Sequence, residues 1–219
     1  MTRIVTVGAA QLGPIARNES RAQVVARMLV LLQDAGRHGC DLVVFPELAL
    51  TTFFPRWYFE SQEEIDAFFE RDMPSVETQP LFDTARKLQL GFYLGYAELI
   101  EEQGSLRHFN TSIVVDRNGS IVAKYRKIHL PGHDQHEPWR RFQHLEQRYF
   151  ETGNLGFMAF RSHWGDDAQD ASRRGIFGMA ICNDRRWSET YRILGLQGVE
   201  MILIGYNTPV HNPPAPEHD

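Results

Sequence analysis

Ile176-Phe177-Gly178-Met179-Ala180-Ile181-Cys182-Asn183-Asp184-Arg185-Arg186-Trp187 is an apolar run of strand length that ends on a cysteine and turns abruptly polar. With Gly175 in front of it, the run reads as a buried strand over 175–182, because apolar residues follow one another rather than alternate. Residues 188–196 then read as a helix, and 201–205 as a second apolar strand, expected to be buried on both faces. The same strand-helix-strand order opens the chain. Residues 4–10 are apolar and rich in β-branched side chains. Residues 20–38 place Val24, Met28, Leu31, Leu32 and Ala35 at helical spacing, with Gly39 closing the helix. Residues 41–45 form another apolar strand that Pro46 ends. Two such passages argue for α/β layering.

Outside these passages the signals are local. Arg117-Asn118-Gly119-Ser120 lies between strand-like residues 111–115 and 121–125, and its Asn-Gly pair predicts a hairpin, so the sheet is expected to be mixed. Residues 51–57 form an aromatic loop around Pro55, and Ser61 opens a short helix with Glu64 completing a capping box. Residues 81–88 read as a helix and 92–98 as a strand, while 128–150, with Pro131, Gly132 and Pro138, reads as irregular. Residues 161–174 are a polar insert of low pattern. Prolines at 209, 213, 214 and 216 predict an extended tail over 209–219. Neither a repeat nor a linker interrupts the chain, so one domain over 1–219 is expected.

Composition excludes several functional classes. The 219 residues are 42% hydrophobic and 23% charged, ordinary for a globular domain with a sizeable core. The formal charge is −5, and the densest basic stretches are only Lys124 to Lys127 and Arg173-Arg174, so no nucleic-acid partner is expected. No apolar run approaches the roughly 18 residues of a membrane helix. Cys40 and Cys182 are too few for a disulfide framework, and the N-terminal apolar run, broken by Gln11 and Gly13-Pro14, is not a signal peptide; a cytoplasmic protein is expected.

Three residues stand where chemistry would need them. Cys182 ends a buried strand just before a helix, where backbone N–H groups and the helix dipole would lower its thiol pKa and bind an oxyanion. A buried core thiol is an equally good reading of the same residues. Glu47 follows the apolar run Val43-Val44-Phe45-Pro46, so partial desolvation would raise its pKa toward that of a general base, although a solvated strand end is the commoner outcome. Lys127 closes Lys124-Tyr125-Arg126-Lys127, and its ammonium would stabilise negative charge on a reacting carbonyl, against the commoner reading of a solvated basic edge. Cys40 begins a strand with no base beside it and reads as structural. Pro131 and Gly132 keep His129, His133 and His136 off any common helix face, and no cysteine accompanies them, so no metal is expected. His144 and Glu146 form a tight polar pair that is as readily structural as functional.

Taken together, Phe45-Pro46-Glu47, Tyr125-Arg126-Lys127 and Ile181-Cys182-Asn183 resemble the nitrilase superfamily of carbon-nitrogen hydrolases. Four further stretches resemble its N-carbamoyl-D-amino acid amidohydrolase branch: Phe53-Phe54-Pro55-Arg56-Trp57, the run from Lys127 to His133, the run from Asn183 to Trp187, and Gly205-Tyr206-Asn207-Thr208-Pro209. The resemblance implies a four-layer α-β-β-α sandwich. It implies hydrolysis of an N-carbamoyl-D-amino acid to the D-amino acid, ammonia and carbon dioxide, through Cys182 as nucleophile, Glu47 as base and Lys127 as oxyanion partner. One of Arg185 and Arg186 would bind the substrate carboxylate, with His144, Asn207 and Thr208 as further substrate contacts and Glu146, His129 and Asn183 in support. Neither cofactor nor metal is implied; the partner is a small-molecule substrate, and a full-length chain would form a homo-oligomer. Two departures stand out: residues 161–174 are longer and more polar than the family's connection, and family members run on for about a third of their length past the point matching Asp219. The chain therefore resembles the N-terminal two thirds of such an enzyme. An inactive remnant, a thiol-based redox or binding protein, and a relative acting on another amide or on a nitrile are the alternative readings.

Overall fold

The computed structural model describes residues 4–140, 142–162, 164 and 175–208. Most of the polar insert at 161–174 and all of the proline-rich tail lie outside the described residues.

Strand β1 (Val7–Ala9) leads to helix α1 (Arg21–Arg37) and strand β2 (Leu42–Val44). Ser20 and Gln23 cap α1 reciprocally, each side chain bonded to the other's backbone N–H. At Ser61, where a capping box was expected, the hydroxyl accepts from Glu64 N, and the short helix α2 (Gln62–Asp66) follows. Helix α3 (Gln79–Leu88) precedes the two longest strands, β3 (Gly91–Glu102) and β4 (Ser105–Val115). Strand β5 (Ile121–Arg126), helix α4 (Glu146–Tyr149) and strands β6 (Phe160–Ser162) and β7 (Gly175–Ile181) come next, then helix α5 (Ser188–Leu196) and strand β8 (Met201–Gly205).

Two mixed sheets result. In the first, β1, β2 and β3 run parallel, and β4 and β5 add antiparallel in the order β1-β2-β3-β4-β5. In the second, β7 lies between antiparallel β6 and parallel β8. The Asn118-Gly119 hairpin forms as expected: Gly119 takes a left-handed φ of 75°, and the Asp116 carboxylate accepts from Asn118 N and Ser120 N. Its larger neighbour was not expected. Gln103 and Gly104, with φ of 53° and 76°, form the two-residue turn that joins β3 to β4, with both strands extending well beyond the predicted ranges. The strand expected over 92–98 continues to Glu102, because residues 99–102 pair with Ser105 to His108 of β4. In the fold Glu98 is buried against Arg126 (2.8 Å) and Lys124, which removes the charge penalty.

Strand alternation assigns each face. Val43, Phe45, Phe92, Leu94, Ile113 and Val115 pack under α1 and α3 with Val24, Met28, Leu32, Leu81 and Phe82. Leu42, Tyr93, Val114 and Tyr125 face the second sheet and meet Phe177, Met179, Ile181 and Leu203. Tyr93 Oη also donates across the gap to the Ala180 carbonyl (3.1 Å). Helix α5 covers the far side of β7, where a Cβ at Gly178 would come within 2.8 Å of Leu194 Cδ2. The layers are thus α-β-β-α. Strand β8 differs from the expectation of burial on both faces: it is an edge strand with only Leu203 and Gly205 fully buried. Among the described residues of 128–150, α4 is the one helix or strand.

Candidate active site

Glu47, Cys182 and Asn207 lie just past the carboxyl ends of the parallel strands β2, β7 and β8, and Lys127 follows β5 directly. Open α/β sheets place their sites at such strand ends. The backbone at Glu47 is held on both sides by close approaches. A Cβ at Gly95 would come within 2.8 Å of Glu47 Cα, and one at Gly205 within 3.0 Å of Glu47 N, so only glycine fits at either position.

Glu47, Lys127 and Glu146 have no solvent-exposed surface. Lys127 Nζ donates to Glu47 Oε1 (2.7 Å) and to Glu146 Oε2 (2.5 Å), which leaves the ammonium one N–H for another acceptor. Glu47 Oε1 also accepts from Asn110 Nδ2 (2.8 Å), and Oε2 from Asn207 N (3.2 Å). The two carboxylates part in character. Burial, with the Glu146 charge adding to it, pushes Glu47 above the usual carboxylate range despite Lys127. Burial also acts on Glu146, but Lys127 and His144, whose Nε2 lies 3.1 Å from Glu146 Oε1, outweigh it and hold this carboxyl low. Burial opposes the Lys127 charge, yet the same two carboxylates keep it firmly protonated.

Cys182 has φ 44°, a left-handed conformation that costs a non-glycine residue energy. Its thiol lies close enough to the Glu47 carboxylate to feel its charge. The thiol is not lowered, as the strand-end reading anticipated, but pushed up to about 12, by burial and then by the charges of Glu47 and Glu146 against Lys127. The resting group is therefore a thiol beside a base. A 3₁₀ turn of five residues, Cys182–Arg186, separates the sulfur from α5, whose dipole would have favoured the thiolate.

Asp184 organises that turn. Its buried carboxylate accepts from Tyr125 Oη (2.8 Å), Ile181 N (3.0 Å), His129 N (3.0 Å) and His129 Nδ1 (2.8 Å), tying the loop after Lys127 to the turn after Cys182. Asn183 Nδ2 adds a bond to the His129 carbonyl (3.1 Å), and Trp187 stacks on the His129 ring at 4.7 Å. His129 and Asn183 thus join the two loops rather than face the thiol. Arg185 Nη1 bonds to Cys182 O (2.6 Å) and lies 3.6 Å from Cys182 Sγ, and its guanidinium sits 5.0 Å from the Tyr206 ring centroid. Arg186 is exposed. His144 is half-exposed against Phe53. Asn207 enters through its backbone N–H, and Thr208 is exposed. No group of three or more potential metal ligands occurs among the described residues.

Sequence reasoning passed over Asn110, Asp184 and Tyr125. Asn110 had a usable signal: it shares with Ser112 and Val114 the strand face turned to the second sheet, where a polar side chain demands a partner. Asp184 had none, because all its donors but Ile181 N lie 55 and 59 residues away.

A family model described as carbon-nitrogen hydrolase matches residues 6–219. The chain is 27% identical over 214 residues to N-carbamoylputrescine amidase of Solanum tuberosum, covering 97% of this chain and 61% of that protein. It is 25% identical over 207 residues to citrullinase of Francisella tularensis, covering 92% and 62%. A carbon-nitrogen hydrolase structure from Helicobacter pylori superposes with a TM-score of 0.70 at 21% identity over 98% of this chain and 65% of that one, a likeness of fold. The chain thus spans less than two thirds of these relatives' lengths.

Proposed function

The chain belongs to the carbon-nitrogen hydrolase family, and from that premise we propose that it hydrolyses the ureido group of N-carbamoyl-D-amino acids. Glu47 takes the Cys182 proton as the sulfur bonds to the ureido carbon, so that a thiolate never accumulates. The remaining N–H of Lys127 and the backbone N–H after Cys182 receive the developing oxyanion. As the C–N bond breaks, Glu47 returns the proton to departing ammonia. Glu47 next deprotonates water, which attacks the thioester and releases Cys182. The carbamic acid so formed loses carbon dioxide and leaves the amino acid. Glu146, held low by Lys127 and His144, keeps the ammonium in place through the cycle.

The observation that carries the substrate class is Arg185, whose guanidinium lies 3.6 Å from Cys182 Sγ and has donors to spare for a carboxylate. Preference for the D-isomer rests on the sequence's resemblance to the carbamoylase branch alone. A second reading, another carbamoyl compound or amide, is supported by relatives named for N-carbamoylputrescine and for citrulline.

Ammonia release from N-carbamoyl-D- and L-amino acids, citrulline, N-carbamoylputrescine and simple amides separates the two readings. The first requires preference for a D-carbamoyl acid and complete loss in Cys182→Ala. Preference for a cationic or neutral amide establishes the second, and unchanged turnover in Cys182→Ala removes both.

A further inference from the structure

Asn110 touches both partners of the buried ion pair. Its backbone carbonyl accepts from Lys127 N (2.8 Å), and its side-chain Nδ2 donates to Glu47 Oε1 (2.8 Å). The side chain is 1% exposed, and its Oδ1 is buried with no hydrogen-bond partner among the described residues. The carboxylate opposite dictates the orientation of the amide, since turning it over would set Oδ1 against Glu47 Oε1.

We propose that Asn110 is a positioning residue that reserves Glu47 Oε2 as the oxygen that receives the Cys182 proton. The inference rests on Glu47 being the base. A carboxylate oxygen has two lone pairs. Lys127 Nζ and Asn110 Nδ2 occupy both on Oε1, whereas on Oε2 the Asn207 N–H occupies one. When the S–H bond breaks, the electron pair stays on sulfur and the proton forms its O–H bond at Oε2. Lys127 and Asn110 go on donating to Oε1, so the protonated acid keeps its rotamer and hands the proton on from the same atom. Without the amide donor, Oε1 gains a free lone pair and the carboxylate loses a bond that favours its charged form, so Glu47 becomes easier to protonate. The other groups facing Glu47 are Lys127 after β5, Glu146 on α4, Cys182 after β7 and Tyr93 on β3.

The test is independent of any substrate. Alkylation of Cys182 by iodoacetamide, read by peptide mass spectrometry to separate it from Cys40, is followed from pH 4 to 9. The wild-type rate should fall on an acidic limb set by Glu47, and Glu47→Gln should abolish that limb; a limb unaffected by Glu47→Gln shows instead that Glu47 is not the base. With the base established, Asn110→Leu should move the limb upward by about one pH unit. Asn110→Asp, which keeps the shape but adds charge, should move it further. A folded Asn110 variant with the wild-type limb overturns the proposal. The same bond is read without any change at Asn110: its side-chain amide proton resonances in the wild-type protein should shift with Glu47 protonation and in Glu47→Gln. Resonances blind to both also overturn it.

Discussion

Lys127 Nζ stands 2.7 Å from Glu47 Oε1, and neither side chain reaches solvent. The pair is held between two sheets and cannot borrow water for its charges, so removing either partner strands the other. Lys127→Met should cost about 3–5 kcal/mol by leaving Glu47 and Glu146 without their cation. The sign with pH follows from the directions of the shifts. Glu47 is raised, so its ionisation opposes folding as pH climbs through its folded value. Lys127 is raised, so its contribution is complete below the ordinary lysine pKa and is lost only in strong alkali. Thermal melts should therefore show the largest Lys127→Met deficit at neutral pH, shrinking as acid neutralises the stranded carboxylates.

The reaction itself should switch on as pH rises through the elevated Glu47 value, because the base must be ionised. The acidic limb of kcat/KM is expected above the ordinary glutamate range, while Glu146 stays charged throughout. A limb in the ordinary range would show that Glu47 is not the titrating group.

With its thiol pushed up to about 12, Cys182 should contribute no thiolate at pH 8. The 240 nm absorbance difference between the wild type and Cys182→Ala should be flat through neutrality and rise only toward pH 12. A step near pH 7 would show a preformed thiolate and remove the need for proton transfer to Glu47.

Cys182 also carries backbone strain, at φ 44°. Cys182→Gly should melt above Cys182→Ala by the equivalent of roughly 1 kcal/mol, since glycine adopts this conformation freely. Equal melting temperatures would show that the turn relaxes when the side chain is removed.

The two adjacent arginines should differ sharply. Arg185 lies beside the sulfur and Arg186 is exposed, so Arg185→Ala should raise KM for a carboxylate substrate by the equivalent of about 2–5 kcal/mol. Arg186→Ala should leave KM within a factor of about three. Equal effects would remove the assignment of the carboxylate to Arg185.

What the sequence by itself determined is whatever burial imprints locally. The apolar runs ending at Phe45 and Ile181, the helical stripe from Val24 to Ala35 and the Asn118-Gly119 turn each announce themselves within a few residues, because periodicity and turn chemistry are short-range effects. Glu47, Lys127 and Cys182 stood out as candidates because each sits at or just beyond the end of a strand-like run. Those local signals fitted a solvated or structural role as well or better, and only their joint resemblance to a known family gave them roles. Only the tertiary structure could decide what surrounds them. Asn110 reaches Glu47 across 63 residues and Lys127 reaches it across 80, and Asp184 joins two loops whose bonded residues lie 55 positions apart. Desolvation by two packed sheets reversed the expected shift of the thiol, and the 3₁₀ turn put Arg185 rather than Arg186 beside the sulfur. Both outcomes depend on which groups share a low-dielectric interior, a property that no local stretch of chain encodes.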